Sequence, residues 1–138
     1  MESYKFNNCL WDPIRCLYVE ATPEEQVRQK WILAMIGPLG YPKGLLSVEK
    51  EISFQRRVDI LCYTPHKEGL QPLLIIECKA EEDCFSAEQQ VLGYNEVVLA
   101  PFLCTLCGTR AKTFWKECNK GIASVPFLPT YEQLKSYL

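Results

Sequence analysis

Leu73-Leu74-Ile75-Ile76-Glu77-Cys78-Lys79 is the stretch on which the fold class turns. Four consecutive aliphatic residues are what a strand buried on both faces requires. The run then stops abruptly in an acid, a cysteine and a lysine. Side chains alternate along a strand, so Glu77 and Lys79 project to one face and Cys78 to the other. A carboxylate closing so apolar an element is costly unless it is paired or metal-bound.

Working outward, residues 46–54 and 58–63 alternate as strands on either side of Gln55-Arg56-Arg57. Asp59 interrupts the second of them between Val58 and Ile60. Residues 64–72 carry two prolines and a glycine and read as a loop. Downstream, Val91, Leu92, Asn95, Val98 and Leu99 recur at helical spacing, which predicts a helix from Ser86, its cap, to about Leu99. Residues 102–107 and 113–115 give two further strands. Upstream, Thr22-Pro23-Glu24-Glu25 opens a helix: threonine caps, proline fits the first turn, and Glu25 stands where a capping-box partner belongs. That helix runs to about Ile36 and stops at Gly37-Pro38. Residues 1–21 read as irregular, and 130–138 as a short helix. The expected fold is α/β, a central mixed sheet of about five strands flanked by helices in αβββαβ order. One domain, 1–138, is expected, with a core of about 22–116, an N-terminal extension 1–21 and a C-terminal tail 117–138.

With 138 residues, 48% hydrophobic and 23% charged, the chain can bury a core, and composition argues against disorder. No apolar run approaches the roughly 18 residues that span a bilayer. The first residues lack a charged-then-apolar signal layout, so the cytoplasm is the expected compartment. A net charge of −2 supplies no global basic field and counts against a nonspecific DNA coat. It is compatible with a nuclease whose acidic metal site offsets a local basic groove. No GxxxxGK[ST] loop is present, which excludes a nucleotide-driven motor within this stretch. Eight cysteines outside a secreted setting read as reduced thiols. A zinc site on Cys104-x-x-Cys107 needs two more ligands, from Cys118, Cys84 or His66.

Asp59, Glu77 and Lys79 stand out because they interrupt apolar elements. Two carboxylates on neighbouring strands beside a lysine suit a divalent metal: Mg²⁺ is commonly held by one or two carboxylates plus water and substrate phosphate. Such an ion polarises a phosphate and acidifies a bound water, while a nearby lysine stabilises developing charge. The competing reading has Glu77 and Lys79 solvated at a strand end and Asp59 paired with Arg56 or Arg57.

Val58-Asp59-Ile60 followed by Leu74-Ile75-Ile76-Glu77-Cys78-Lys79 resembles the D…ExK core of the PD-(D/E)XK nuclease superfamily. Pro23-Glu24-Glu25-Gln26-Val27-Arg28-Gln29, Gly40-Tyr41-Pro42, Glu49 and the QxxxY-like Gln90-Val91-Leu92-Gly93-Tyr94-Asn95 are similar to one branch of it. That branch is the N-terminal nuclease domain of type I restriction enzyme R subunits, and the resemblance covers about residues 22–116. It implies a restriction-endonuclease-like core and Mg²⁺- or Mn²⁺-dependent hydrolysis of DNA, leaving a 5′-phosphate. Asp59 and Glu77 would be metal ligands and Lys79 the catalytic lysine, with Gln90 and Tyr94 supporting the site or touching the DNA backbone. A homodimer and restriction-system partner subunits are the expected associates. The resemblance departs in lacking the ATP-driven translocase and in having Gly108-Thr109-Arg110 where an Asn-Gly turn is usual. A non-catalytic DNA-binding or assembly module with the same fold is therefore the alternative function.

Which further acid joins the site depends on helix phase. At about 100° per residue Glu24 falls between Trp31 and Met35 on the apolar side, and Glu25 toward Ile32 and the edge. Glu24 is the expected site acid, with Arg28 its local partner. Glu49 divides evenly between a supporting carboxylate and an ordinary charged strand residue.

Overall fold

A computed structural model describes residues 5, 6 and 8–138. In chain order the elements are β1 (Lys5–Phe6), β2 (Cys9–Asp12), β3 (Leu17–Glu20), α1 (Pro23–Ile36), β4 (Leu46–Ser53), β5 (Arg56–His66), β6 (Gly69–Lys79), α2 (Ala87–Val98), β7 (Phe102–Cys107), β8 (Arg110–Glu117), β9 (Gly121–Val125) and α3 (Tyr131–Tyr137). Short 3₁₀ turns precede β4 (Lys43–Leu45) and α2 (Glu81–Ser86).

Strands β4 to β9 form one six-stranded sheet in sequence order, antiparallel throughout except for the parallel β6–β7 pair. A parallel pair needs a crossover, and α2 supplies it. Burial therefore rises toward β6 and β7, the central pair, where Leu73 to Ile76 and Cys104 are shielded from solvent on both faces. Ile32 and Met35 of α1 and Tyr131 and Leu134 of α3 cover one face, over Ile60, Ile76, Cys78 and Leu106. Val91 of α2 covers the other, over Val58, Leu61, Ile75 and Leu103.

The sheet is mixed, as expected, but has six strands. Its extra strand comes from the tail: β9 pairs with β8 at the edge. Two other expectations are corrected. Residues 64–72 are not a loop, because β5 runs on to His66 and β6 starts at Gly69, pairing as a hairpin. The prolines fit because β4 and β7 begin pairing only at Cys62 and Leu74, so residues 63–72 form a two-stranded ribbon with no third strand needing their donors. Residues 1–21 are not irregular either; β1, β2 and β3 make a small antiparallel sheet. Its β2–β3 turn is set by Asp12, whose Oδ1 accepts the backbone N–H of Ile14 and of Arg15, both at 2.8 Å. Ser86 does not cap α2 through its side chain, since the 3₁₀ turn leads directly into the helix.

At α1 the Thr22 side chain accepts the Glu25 N–H at 3.1 Å, with Pro23 in the first turn. The C-terminal tail is tied to the loop after α1: Tyr41 Oη donates to the Pro129 carbonyl at 2.7 Å, and the Tyr131 N–H donates to the Leu39 carbonyl. Tyr41 is 2% exposed. Its replacement by phenylalanine strands a buried carbonyl, and the expected cost is about 1–3 kcal/mol, read from the urea midpoint. The eight cysteines are free thiols. Cys62, Cys78 and Cys104 are core residues, and burial pushes the Cys62 and Cys104 thiols up to about 12.

Candidate active site

The β4–β5 ladder opens at one place. Val48 pairs with Ile60 and Lys50 with Val58, yet the Glu49–Asp59 pair between them is missing and Glu49 has φ 57°. A glutamate in the left-handed region is strained, and such strain persists only where the surroundings enforce it. The interruption also breaks alternation: Val58 packs on the α2 side and Ile60 on the α1 side, although two residues apart they would share a face in a regular strand. Glu49 and Asp59 are thereby turned out of the ladder toward α1.

Arg28 of α1 meets them. Its Nη2 lies 2.6 Å from Asp59 Oδ1 and 2.7 Å from Glu49 Oε1, and its Nη1 lies 2.6 Å from Glu25 Oε1. Burial opposes its charge, but Asp59, Glu25 and Glu49 outweigh that and raise its pKa. The network continues to the N-terminal sheet. Arg15 Nη2 reaches Glu25 Oε1 at 3.0 Å and Arg15 Nε reaches Asp12 Oδ2 at 2.7 Å. Gln29 Nε2 donates to Asp12 Oδ2 at 2.9 Å and Glu25 Oε2 at 3.1 Å. Asp12 is fully buried; desolvation works against its ionised form, yet bonds from Arg15 and Gln29 hold its carboxyl below the usual range.

The sequence reading of α1 is corrected here. Its buried stripe runs through Glu25, Arg28, Gln29, Ile32 and Met35, so Glu25 faces inward and Glu24 lies at the margin. A stripe whose first half is charged carries no hydropathy signal, and the apolar residues alone give the wrong phase. Glu25 is not the return half of a capping box; its carboxylate is spent on Arg15, Arg28 and Gln29. Arg28 is 3.8 Å from Glu24, farther than from its other three acids. Asp59 pairs with this arginine rather than with Arg56 or Arg57.

Asp59 Oδ2 also accepts the Cys78 N–H at 2.7 Å, which draws it against the end of β6. There Glu77 is 4% exposed and its carboxyl is a hydrogen-bonding neighbour of Asp59. Lys79 Nζ lies 3.3 Å from Glu77 Oε2, on the same face, as the alternation requires. Burial first, then the Asp59 charge and the shared hydrogen bond, push Glu77 up to about 9, with Lys79 acting in the opposite direction. For Lys79 burial would lower the pKa, but Glu77 and then Glu24 raise it overall. Glu24 is raised by burial and by Asp59. Tyr94, half-buried on α2, is raised by burial and then by Glu77 and Asp59, so it borders the same cluster. Gln90 is one turn away and donates to Ser86 Oγ at 3.3 Å.

Of the six side chains singled out from the sequence, Asp59, Glu77, Lys79, Glu24 and Tyr94 thus converge, while Gln90 is turned to its own helix. Arg28, Glu25, Gln29, Asp12 and Arg15 join the network without a local sequence signal beyond the Pro23–Gln29 motif. Six carboxyl groups are chained to only three cations, Arg15, Arg28 and Lys79. Two neighbouring carboxyls in such an acid excess fit a divalent cation, which would offset the burial and the Asp59 charge that raise Glu77. Among the described residues no group of three or more His, Cys, Asp or Glu could hold a metal ion. Two carboxylates alone could hold an ion only with water and phosphate completing its shell, and among the described residues Cys104 and Cys107 lack the rest of a zinc ligand set.

Glu77 makes stability depend on pH. Its folded pKa lies above the unfolded value, so its contribution is complete below about 4.5 and disappears as pH rises through about 9. The metal-free protein is expected to melt at progressively lower temperature across that window, and Glu77→Gln to flatten the dependence.

Residues 23–129 match the family model described as Type I restriction enzyme R protein N terminus (HSDR_N). No curated protein and no solved structure matches the chain. Among the described residues no helix is long and apolar enough to cross a membrane.

Proposed function

We propose that this chain, which belongs to the family of type I restriction enzyme R protein N termini, is a divalent-metal-dependent nuclease of the PD-(D/E)XK type that hydrolyses DNA phosphodiester bonds within a restriction system. The observation that carries this reading is the convergence of Asp59, Glu77 and Lys79 at the end of β6. The order of strands and helices around it suits a restriction-endonuclease-like core.

Asp59 and Glu77 would hold Mg²⁺ or Mn²⁺. Bound there, the ion supplies a polarised scissile phosphate and a more acidic water. Glu77 would hold the ion as its carboxylate. Lys79, whose pKa Glu77 and Glu24 raise, would stabilise the charge that builds on the phosphate. Arg28 is a positioning residue: it fixes Asp59 through Oδ1, while the Cys78 N–H holds Oδ2 against the end of β6. Glu24 and Tyr94 border the same cluster and would flank the substrate. The expected product carries a 5′-phosphate.

A second reading, a nuclease-fold binding or assembly module, draws on the tight Arg28–Asp59 contact, which already neutralises one of the two ligands. Incubation of supercoiled plasmid and of linear single-stranded DNA with the purified chain separates the two. Cleavage with Mg²⁺ or Mn²⁺ and none with EDTA is expected; a folded, monodisperse protein that cuts neither substrate with either metal favours the module.

A further inference from the structure

The β4–β5 turn is too short to fold back on the core. Ser53 pairs with Arg56, leaving Phe54 and Gln55 as its tip, with Gln55 at φ 60°. Phe54 is 85% exposed, the largest exposure among the described large hydrophobic residues, and Arg56 and Arg57 are exposed beside it. Neither arginine has a carboxylate partner among the described residues. Isolated surface hydrophobics are ordinary, but this one shares a tip with two cations that no carboxylate neutralises among the described residues.

The tip also has a fixed relation to the candidate active site. The Arg56 guanidinium lies 5.2 Å from the centre of the Tyr94 ring, a cation–π contact. Its Nη2 also lies over Gly93 of α2, 3.5 Å from where a β-carbon there would stand. Tyr94 in turn feels the charges of Glu77, Asp59 and Lys79. Tyr94 is therefore shared between the carboxylate pair, whose charges act on it, and Arg56, two residues from Phe54.

We propose that this tip is a binding site for an unpaired nucleic-acid strand, with Arg56 on a backbone phosphate and Phe54 stacked on a base. The inference rests on the nuclease reading for what happens to that strand afterwards. An exposed aromatic ring beside guanidinium groups is the pairing that single strands use, because every base offers a flat apolar face. A duplex keeps its bases stacked on one another, and a single ring at a two-residue tip would have to wedge them apart. The tip therefore favours single-stranded ends, flaps or gaps over intact duplex. Phe54 touches no core cluster, so changing it leaves the fold alone.

Fluorescence anisotropy of a labelled single-stranded oligonucleotide in EDTA, with cleavage suppressed, tests this directly. Phe54→Ala is expected to weaken binding by about tenfold. Arg56→Gln is expected to weaken it and to lower the salt slope by about 0.7. Phe54→Ala should matter less for the matching duplex, and thermal melts of both variants should match the native protein. Native affinity retained by both variants, or no binding by the native chain, overturns the proposal. The nuclease reading fails separately: binding through the tip without any metal-dependent cutting would refute catalysis and leave the tip standing. Cutting that survives with unchanged strand affinity in both variants would do the reverse.

Discussion

Replacing Lys79 by alanine is expected to slow Mg²⁺-dependent DNA cleavage by about 100-fold or more while leaving the protein folded. The expectation comes from where the lysine sits. Its ammonium is 3.3 Å from Glu77, on the last residue of the central strand, with the side chain 15% exposed. It is therefore held by one carboxylate and still open to a phosphate. An interaction that strengthens as charge develops acts on the chemical step, so kcat should fall more than substrate affinity. Lys79→Arg should not restore the rate, because a planar fork replaces a compact point charge. Single-turnover cleavage with excess protein gives the comparison, and equal rates for native and Lys79→Ala would remove the lysine from the mechanism.

Arg28→Leu is expected to lower unfolding free energy by about 3–5 kcal/mol, against the 5–15 kcal/mol typical of a whole domain. Arg28 is 4% exposed and neutralises Asp59, Glu49 and Glu25 simultaneously. Removing it leaves three carboxylates crowded together with only Arg15, on Glu25, still paired to any of them, which costs far more than the pairs themselves contribute. Lysine cannot substitute, since Glu25 is reached through Nη1 and the other two acids through Nη2. Urea unfolding of the variant beside Arg15→Leu, whose parent side chain is 23% exposed, makes the test. The Arg15 change should cost clearly less. A loss below about 1 kcal/mol for Arg28→Leu would show that the cluster is not held by its arginine.

Much of this arrangement was legible in the chain, and the parts that were not share a cause. The Thr22-Pro23 start of α1, the apolar run of β7, broken only by Thr105, and the Glu77–Lys79 alternation are local patterns, and the structure reproduces them. The edge strand β9 has no buried residue, and its apolar Ile122 points outward, so hydropathy does not mark it. The 63–72 ribbon was hidden because prolines are tolerated where no third strand pairs, which only the assembled sheet reveals. Glu25 was misplaced because hydropathy phases a helix by its apolar residues, whereas α1 buries a salt-bridged first half. The Arg28–Asp59 contact spans 31 residues, and the ladder opening that delivers Glu49 depends on a backbone turn no residue type announces.

The central claim is that Asp59 and Glu77 together take a divalent ion. Calorimetric titration of Mn²⁺ into the metal-free protein at pH 7, repeated in buffers of different ionisation enthalpy, tests it most directly. The account predicts one ion per chain, bound with release of the Glu77 proton, and loss of both the binding and the proton release in Glu77→Gln. Binding of equal strength in native and Glu77→Gln, or no uptake by the native protein with a nucleic-acid strand present, would contradict it.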